Sequence, residues 1–480
     1  MPNKNGGDWR LETGDLPQAA ANLQSPEEIL VSYSMPSPGI SAMDFLRQAN
    51  GRERFYWQDY RNEITFAAIG IAADLLGWGD GRFAAIHHQA YELFHHAIAL
   101  NEAEPLAAPR LFGGFSFRDD FLPDNTWAVF SPAHFILPHY QLVQANGESW
   151  LTINTLLPAE EDPEAARPVL QEALETEYNL LLQAADAWRP PQPAKPEIAS
   201  IRYPLSEAAW TEMVQTAVHR IHTTELEKVV LARVCELKFR QPIDIDAALS
   251  HLNQHYPNSY RFLFEPQPHH AFLGATPELL VKVAGEDLTS MALAGTIHRS
   301  PDPEEDEALG QQLLNSAKDR HEHDVVVMSL LNRLAPLTDQ LEISPQPGLY
   351  KVGNIQHLFT PIRGQLRQPE GVLPLVERLH PTPALGGSPR PLAMQFIQDA
   401  EPVPRGWYAA PVGWIDSRLD GAFAVAIRSA SIQSRRAWLY AGAGIVADSD
   451  PAKEWEETAL KFGPMQSALG TEIRDWEIGD

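Results

Sequence analysis

Residues 441–461, AGAGIVADSDPAKEWEETALK, join a small-residue turn to a helix start, and the helix carries two carboxylates and a lysine at chemically useful spacing. Asp450 is placed to cap that helix and Pro451 to occupy its first turn. Glu454, Glu457 and Lys461 follow at steps of three and four, so their side chains share one face, while Trp455, Ala459 and Phe462 supply an apolar stripe elsewhere. Backbone N–H groups around Gly442 and Gly444 can approach an anion, and carboxylates can hold a hard cation against it. A solvated acidic helix face is the plainer alternative.

Four other segments carry candidate chemistry. Lys228 opens the apolar strand KVVLARVCELKF; at such an edge a lysine either reaches out to water or is partly desolvated, which would lower its pKa toward that of a general base. Glu278, in GATPELLV, is either a solvated strand-start carboxylate or a buried one raised toward the range of a general acid. In SAKDRHEHDVVV, Lys318 and Glu322 fall on one helical face, flanked by His321 and His323; the HEH spacing does not put two imidazoles on one face as HExxH does, which argues against zinc. Glu322 as a magnesium ligand competes with an amphipathic helix that merely has a polar side. Arg428 interrupts the apolar strand FAVAIRSA and needs an anion, either a bound carboxylate or a structural partner. The loop HPTPALGGSPR, residues 380–390, is apolar enough to shape a pocket by backbone approach.

The elements that must position these groups alternate irregularly. Helical periodicity is predicted for AAIGIAADLLGWG, RFAAIHHQAYELFHHAIAL and EAARPVLQEALETEYNLLLQAADAW, and strands for WAVFSPAHFILPHY and SWLTINTLL. RLFGGFSFRDD, residues 110–120, reads as a tight glycine turn entering an aromatic strand, and residues 1–50 as an irregular leading segment or loosely held first strand. The prolines of WRPPQPAKPEIASIRYP mark a linker and the main boundary. Beyond it, a helix over residues 206–223 precedes strands at KVVLARVCELKF, HHAFLGA, ELLVKVAG, GLYKVGN, GAFAVAIRSASI and RAWLYAGAGIV, with long helices at EEDEALGQQLLNSAKDRHEHDVVVMSLLNRL and PRPLAMQFIQDAE. Strands and helices mix without strict βαβ order, which predicts an α+β fold with largely antiparallel sheets.

The 480 residues suffice for a large core, and a net charge of -26 disfavours nucleic acid and anionic membrane as partners. An anionic small molecule would need a local cation or metal. No run of about 18 apolar residues is present, and the first residues lack the basic and apolar regions of a signal peptide, so a cytoplasmic location is expected. The single cysteine, Cys235, lies in a strand-like apolar pattern and rules out an internal disulfide.

KVVLARV, GATPELLV, ALAGTIHRS, SAKDRHEHDVVV, NIQHLFTPIRG, HPTPALGGSPR, RGWYAAPVGW, AIRSA and AGAGIVADSDPAKEWEETALKFG occur in the order found in the chorismate-utilising enzymes, and the chain closely resembles their isochorismate synthase branch. The likeness is dense over residues 200–470 and thinner before, apart from the LFGGFSF segment. It implies a single large α+β unit of two packed antiparallel sheets with helices outside, as in anthranilate synthase component I. Within it, residues 1–200 would contribute strands and helices and residues 201–475 would form the catalytic region. It also implies chorismate as substrate and magnesium as cofactor. By resemblance Lys228 is the base that activates water and Glu278 the acid that protonates the departing hydroxyl. Glu322 and Glu457 match metal ligands, with Glu454 nearby. Arg428, the Gly442 backbone and Lys461 match substrate contacts, and Tyr408, Ala384, Leu385 and Gly295 match pocket positions.

Members of the family that aminate chorismate lack a lysine at the position of Lys228, so water is the expected nucleophile and no glutamine amidotransferase partner is expected. Salicylate-forming members resemble one another in a threonine where this chain has Ala384. The resemblance therefore implies isochorismate formation without pyruvate release, most like the menaquinone-pathway enzymes, with siderophore-pathway members catalysing the same reaction.

Overall fold

The computed structural model describes residues 27–101, 105–187, 196–353 and 355–471. The predicted leading segment before residue 27, the proline linker over residues 188–195 and the last residues of the expected catalytic region lie outside them. Among the described residues two sheets form, one of thirteen strands and one of ten, and nearly every pairing is antiparallel. The strands Lys228–Phe239, Arg436–Ile445, Ser429–Gln433, His270–Thr276 and Tyr260–Gln267 are consecutive in the larger sheet. Thr338–Ile343, Ile355–Leu366, Asp287–His298, Leu279–Ala284 and Gly421–Val425 are consecutive in the smaller one.

Alternation along the strands explains why the sheets stack. Tyr260, Phe262 and Phe264 join one buried cluster while Leu263 joins the other, and Trp438 and Tyr440 alternate likewise with Ala437, Leu439 and Ala441. The first cluster lies between the sheets, where Phe66 of the larger meets Phe112 and Trp414 of the smaller at ring separations of 5.7 and 5.4 Å. The second lies under helices on the outer face of the larger sheet, with Leu249 and Leu252 of helix Ile245–His255 and Phe462 and Met465 of helix Pro451–Ala468. Because both faces of these strands are covered, their sequences read as nearly unbroken apolar runs. Among the described residues no helix is long and apolar enough to cross a membrane.

Several sequence expectations are corrected. AAIGIAADLLGWG is not helical: it supplies the end of strand Ile64–Ile69 and strand Ala73–Gly77, separated by Gly70 at φ +68°. Its alanine and isoleucine run is buried by sheet packing, not by one helical face. Gly113 and Gly114 form no turn but lie inside strand Arg110–Phe115, where a Cβ on Gly113 would sit 2.1 Å from the carbonyl oxygen of His134. Residues Glu28–Pro36 are a firmly paired strand, matched over their whole length to strand Glu148–Pro158, and not a loose leader. The long predicted helix is two, Pro303–Asn315 and Ala317–Leu334, broken at Ser316, which caps the second. GAFAVAIRSASI is likewise two strands, parted at residues 426–428.

Candidate active site

That last break and a second one build the site. The chain passes from the larger sheet to the smaller between Thr276 and Leu279, and returns between Val425 and Ser429. The two crossings brace each other: the N–H of Val425 donates to the carbonyl of Glu278 at 3.0 Å, and the N–H of Ala275 donates to that of Arg428 at 3.2 Å. Glu278 and Arg428 therefore sit at neighbouring corners. Arg428 adopts φ +52°, an uncommon backbone state for a long side chain, held here by the flanking strands.

Glu278 is only 4% exposed. Burial pushes its carboxyl up to about 8, against the opposing pull of Lys228, Arg428 and Lys461, so it holds a proton at neutral pH. Of the two readings open for this residue, the solvated strand start is excluded. Arg428 is buried as well; desolvation lowers its pKa, while Tyr408, Glu457, Tyr256 and Glu278 favour its charge.

Lys228 is 2% exposed and does not reach out to solvent. Its Nζ donates to Glu322 Oε1 at 2.7 Å across to helix Ala317–Leu334. Burial would raise the Glu322 carboxyl, but the charge and hydrogen bond of Lys228, with the charges of Lys461 and Lys318, outweigh it and the net direction is down. Gly444 makes room for this pair, since a Cβ there would stand 2.9 Å from Glu322 Oε1 and 3.0 Å from Lys228 Cε. On the other side the 380–390 loop pairs with the start of the same strand, Gly387 opposite Val229 and Ser388 opposite Lys228. Only a glycine permits that approach: at residue 387 φ is +136° and a Cβ would lie 2.2 Å from the Lys228 carbonyl oxygen. Arg405 pins the loop to the strand by donating to the carbonyls of Leu385 at 2.9 Å and Val230 at 2.7 Å, and it is ion-paired to buried Glu401 at 2.5 Å.

The face predicted on helix Pro451–Ala468 is present. Asp450 caps it, and Glu454, Glu457 and Lys461 all face the cavity. Lys461 Nζ donates to Glu457 Oε1 at 2.5 Å and to the Gly442 carbonyl at 2.8 Å. Gly442 and Gly444 belong to strand Arg436–Ile445, not to a turn; a Cβ on Gly442 would crowd the Tyr408 hydroxyl at 3.2 Å. Glu454 is buried, and burial together with the charge of Glu457 pushes its carboxyl up to about 7, partly offset by Lys318 at 3.6 Å.

One cavity is lined by Glu278, Gly295, Glu322, Ala384, Leu385, Tyr408, Arg428, Gly442, Glu454, Glu457 and Lys461. Lys228 meets it through Gly444 and Glu322. The same walls include residues to which sequence reasoning assigned no role: Asp319, Thr296 and His357. His357 is contacted at Nδ1 by Thr296 Oγ1 (3.0 Å) and the Gly295 carbonyl (3.2 Å), and its buried Nε2 has no protein partner. Burial, with Arg428 and Lys461 nearby, drives its pKa down to about 3, so the ring is neutral. The motif NIQHLFT was the only signal for it. Arg405 had only the motif RGWYAAPVGW, which it opens, and Glu401 had no signal, because their role depends on segments distant in sequence.

The carboxylates suit a hard cation without forming a closed cage. Glu322, Glu454 and Glu457 each face a lysine, and among the described residues no three His, Cys, Asp or Glu side chains converge on one point. All donors are carboxylates, and Glu454, raised first by burial, feels the charge of Glu457 as well as that of Lys318. Magnesium, which takes one or two carboxylates and keeps several waters, fits such a set.

A sequence profile of the chorismate binding enzymes matches residues 16–470. The isochorismate synthase MenF of Bacillus subtilis is 38% identical over 93% of this chain and 94% of its own. The salicylate biosynthesis isochorismate synthase of Pseudomonas aeruginosa is 39% identical over 86% of this chain and 84% of its own. The structure of MenF, the menaquinone-specific isochorismate synthase from Escherichia coli, superposes with a TM-score of 0.76 at 26% identity, covering 94% of this chain and 97% of that one. The profile match, the relatives along nearly the whole chain and the superposed fold of two packed antiparallel sheets together place the chain in the chorismate binding enzyme family.

Proposed function

We propose that this protein is an isochorismate synthase, converting chorismate to isochorismate with magnesium as cofactor. The observation that carries the reading is a buried carboxyl, Glu278, which burial pushes upward, at the same cavity as Arg428 and Lys461 and close to a buried lysine, Lys228. Chorismate bears two carboxylates, and Arg428 and Lys461 are the cations placed to receive them in a protein whose net charge of -26 would otherwise repel them. In its uncharged form, after giving up the ammonium proton it shares with Glu322, Lys228 takes a proton from water as the water oxygen bonds to one ring carbon; Glu278 gives its proton to the hydroxyl two carbons away, which leaves as water. Nothing is gained or lost overall, so the product is an isomer. Glu322, Glu457 and Glu454 are the residues that would hold magnesium, which when bound supplies positive charge against a substrate carboxylate. Ala384 and Leu385, on the loop pinned by Arg405, shape the wall beside the ring.

The menaquinone branch is favoured because the Bacillus subtilis MenF relative is matched over 93% of this chain and 94% of its own, against 86% and 84% for the Pseudomonas aeruginosa relative and 54% and 67% for DhbC from Bacillus subtilis. Incubation of the purified protein with chorismate and magnesium, with chromatography of the products and an enzymatic assay for pyruvate, tests the assignment. Isochorismate without pyruvate is expected; salicylate with pyruvate would make the protein a lyase, and unchanged chorismate would remove the assignment altogether.

A further inference from the structure

The cations of the cavity differ in how they meet solvent. Lys228 is 2% exposed and Lys461 16%, each donating a short hydrogen bond to a carboxylate, and Arg428 is buried. Lys318 is 46% exposed and stands on the cavity wall, where its contact with Glu454, at 3.6 Å, is an ion pair beyond hydrogen-bonding distance. It lies in the first turn of helix Ala317–Leu334, just after the Ser316 cap. A lysine there opposes the helix dipole, so helix stability does not account for it. Its charge sits instead at the solvent side of a cavity walled by Asp319, Glu322, Glu454 and Glu457, in a protein whose overall field repels anions.

We propose that Lys318 is a substrate-recruiting residue: it offsets the carboxylates at the mouth, draws in the dianionic substrate and passes it to Arg428 and Lys461. This rests on the chorismate reading of the site. Local attraction of this kind acts on capture from solution and is screened by salt within a Debye length of about 8–10 Å. It leaves the chemical step largely to the inner groups.

Steady-state kinetics of the magnesium-supplemented protein on chorismate, at low and high ionic strength, compare the natural protein with Lys318→Gln, Lys318→Arg and Lys238→Gln. Lys238 is exposed at the far end of strand Lys228–Phe239, roughly 30 Å along the strand from Lys228, and does not line the cavity, so its variant changes net charge by the same amount elsewhere. At low salt Lys318→Gln is expected to lower kcat/KM by roughly three- to ten-fold with a much smaller change in kcat. The deficit should close as salt is raised, Lys318→Arg should restore the salt dependence, and Lys238→Gln should follow the natural protein. Equal effects of Lys318→Gln and Lys238→Gln, a salt-independent deficit, or a loss confined to kcat would overturn the proposal. Absence of isochorismate from the natural protein itself would instead overturn the functional reading, and this inference with it.

Discussion

At the scale of single residues, the account turns on Glu278 being protonated where most glutamates are not. If it is the proton donor, kcat/KM must fall as pH rises through about 8, where the buried carboxyl gives up its proton. Glu278→Gln and Lys228→Ala should each lower turnover by about 10²–10⁴-fold while the far-ultraviolet circular dichroism is retained. The same burial has a consequence for stability. A carboxyl whose pKa is higher in the folded state than in the unfolded one favours folding below the unfolded value, and that contribution is lost as pH rises through the folded one. Glu278→Gln removes the penalty of charging a buried group. Its melting temperature should exceed that of the natural protein at pH 8 and approach it near pH 4; a variant less stable at pH 8 would show that the carboxyl is not held neutral by burial.

At the scale of elements, the site depends on a loop, a strand and two sheet crossings held in register. Arg405 joins the Leu385 carbonyl on the loop to the Val230 carbonyl on the strand and neutralises buried Glu401. Arg405→Met should therefore cost about 3–5 kcal/mol, since it strands a buried carboxylate, and urea unfolding would measure it. A loss below about 1 kcal/mol would mean that the loop is held by other contacts. Much of this architecture was legible beforehand. The start of helix Pro451–Ala468 was readable from Asp450 and Pro451, and strand Lys228–Phe239 from its β-branched apolar run. What escaped was tertiary in origin. The stretch around Gly70 reads as helix because small apolar residues buried on both faces of a sheet lose their alternation. The glycines at 442 and 444 read as a turn, yet they are small because Tyr408 and Glu322 press on the strand from other elements of the site and Lys228 from the strand paired beside it. His357 and Arg405 gain their roles only when remote segments meet, which no local spacing reveals.

At the scale of the whole molecule, strands from residues 28–158 enter both sheets alongside those from residues 198–445, so the cavity walls rest on one continuous inter-sheet core. On the proposed function, the carboxylates of those walls hold magnesium. EDTA should stop product formation and magnesium restore it, and magnesium alone should raise the melting temperature of the natural protein more than that of Glu322→Gln or Glu457→Gln. Equal shifts in all three would show that those carboxylates do not bind the ion. The central claim is that a base and an acid add one water to the ring as another departs. It is tested most directly by running the reaction in H2¹⁸O and analysing the product by mass spectrometry and NMR. Isochorismate carrying one ¹⁸O in its new ring hydroxyl, without pyruvate, is the predicted result; isochorismate formed without label would mean the original hydroxyl had migrated within the molecule and would contradict the roles given to Lys228 and Glu278.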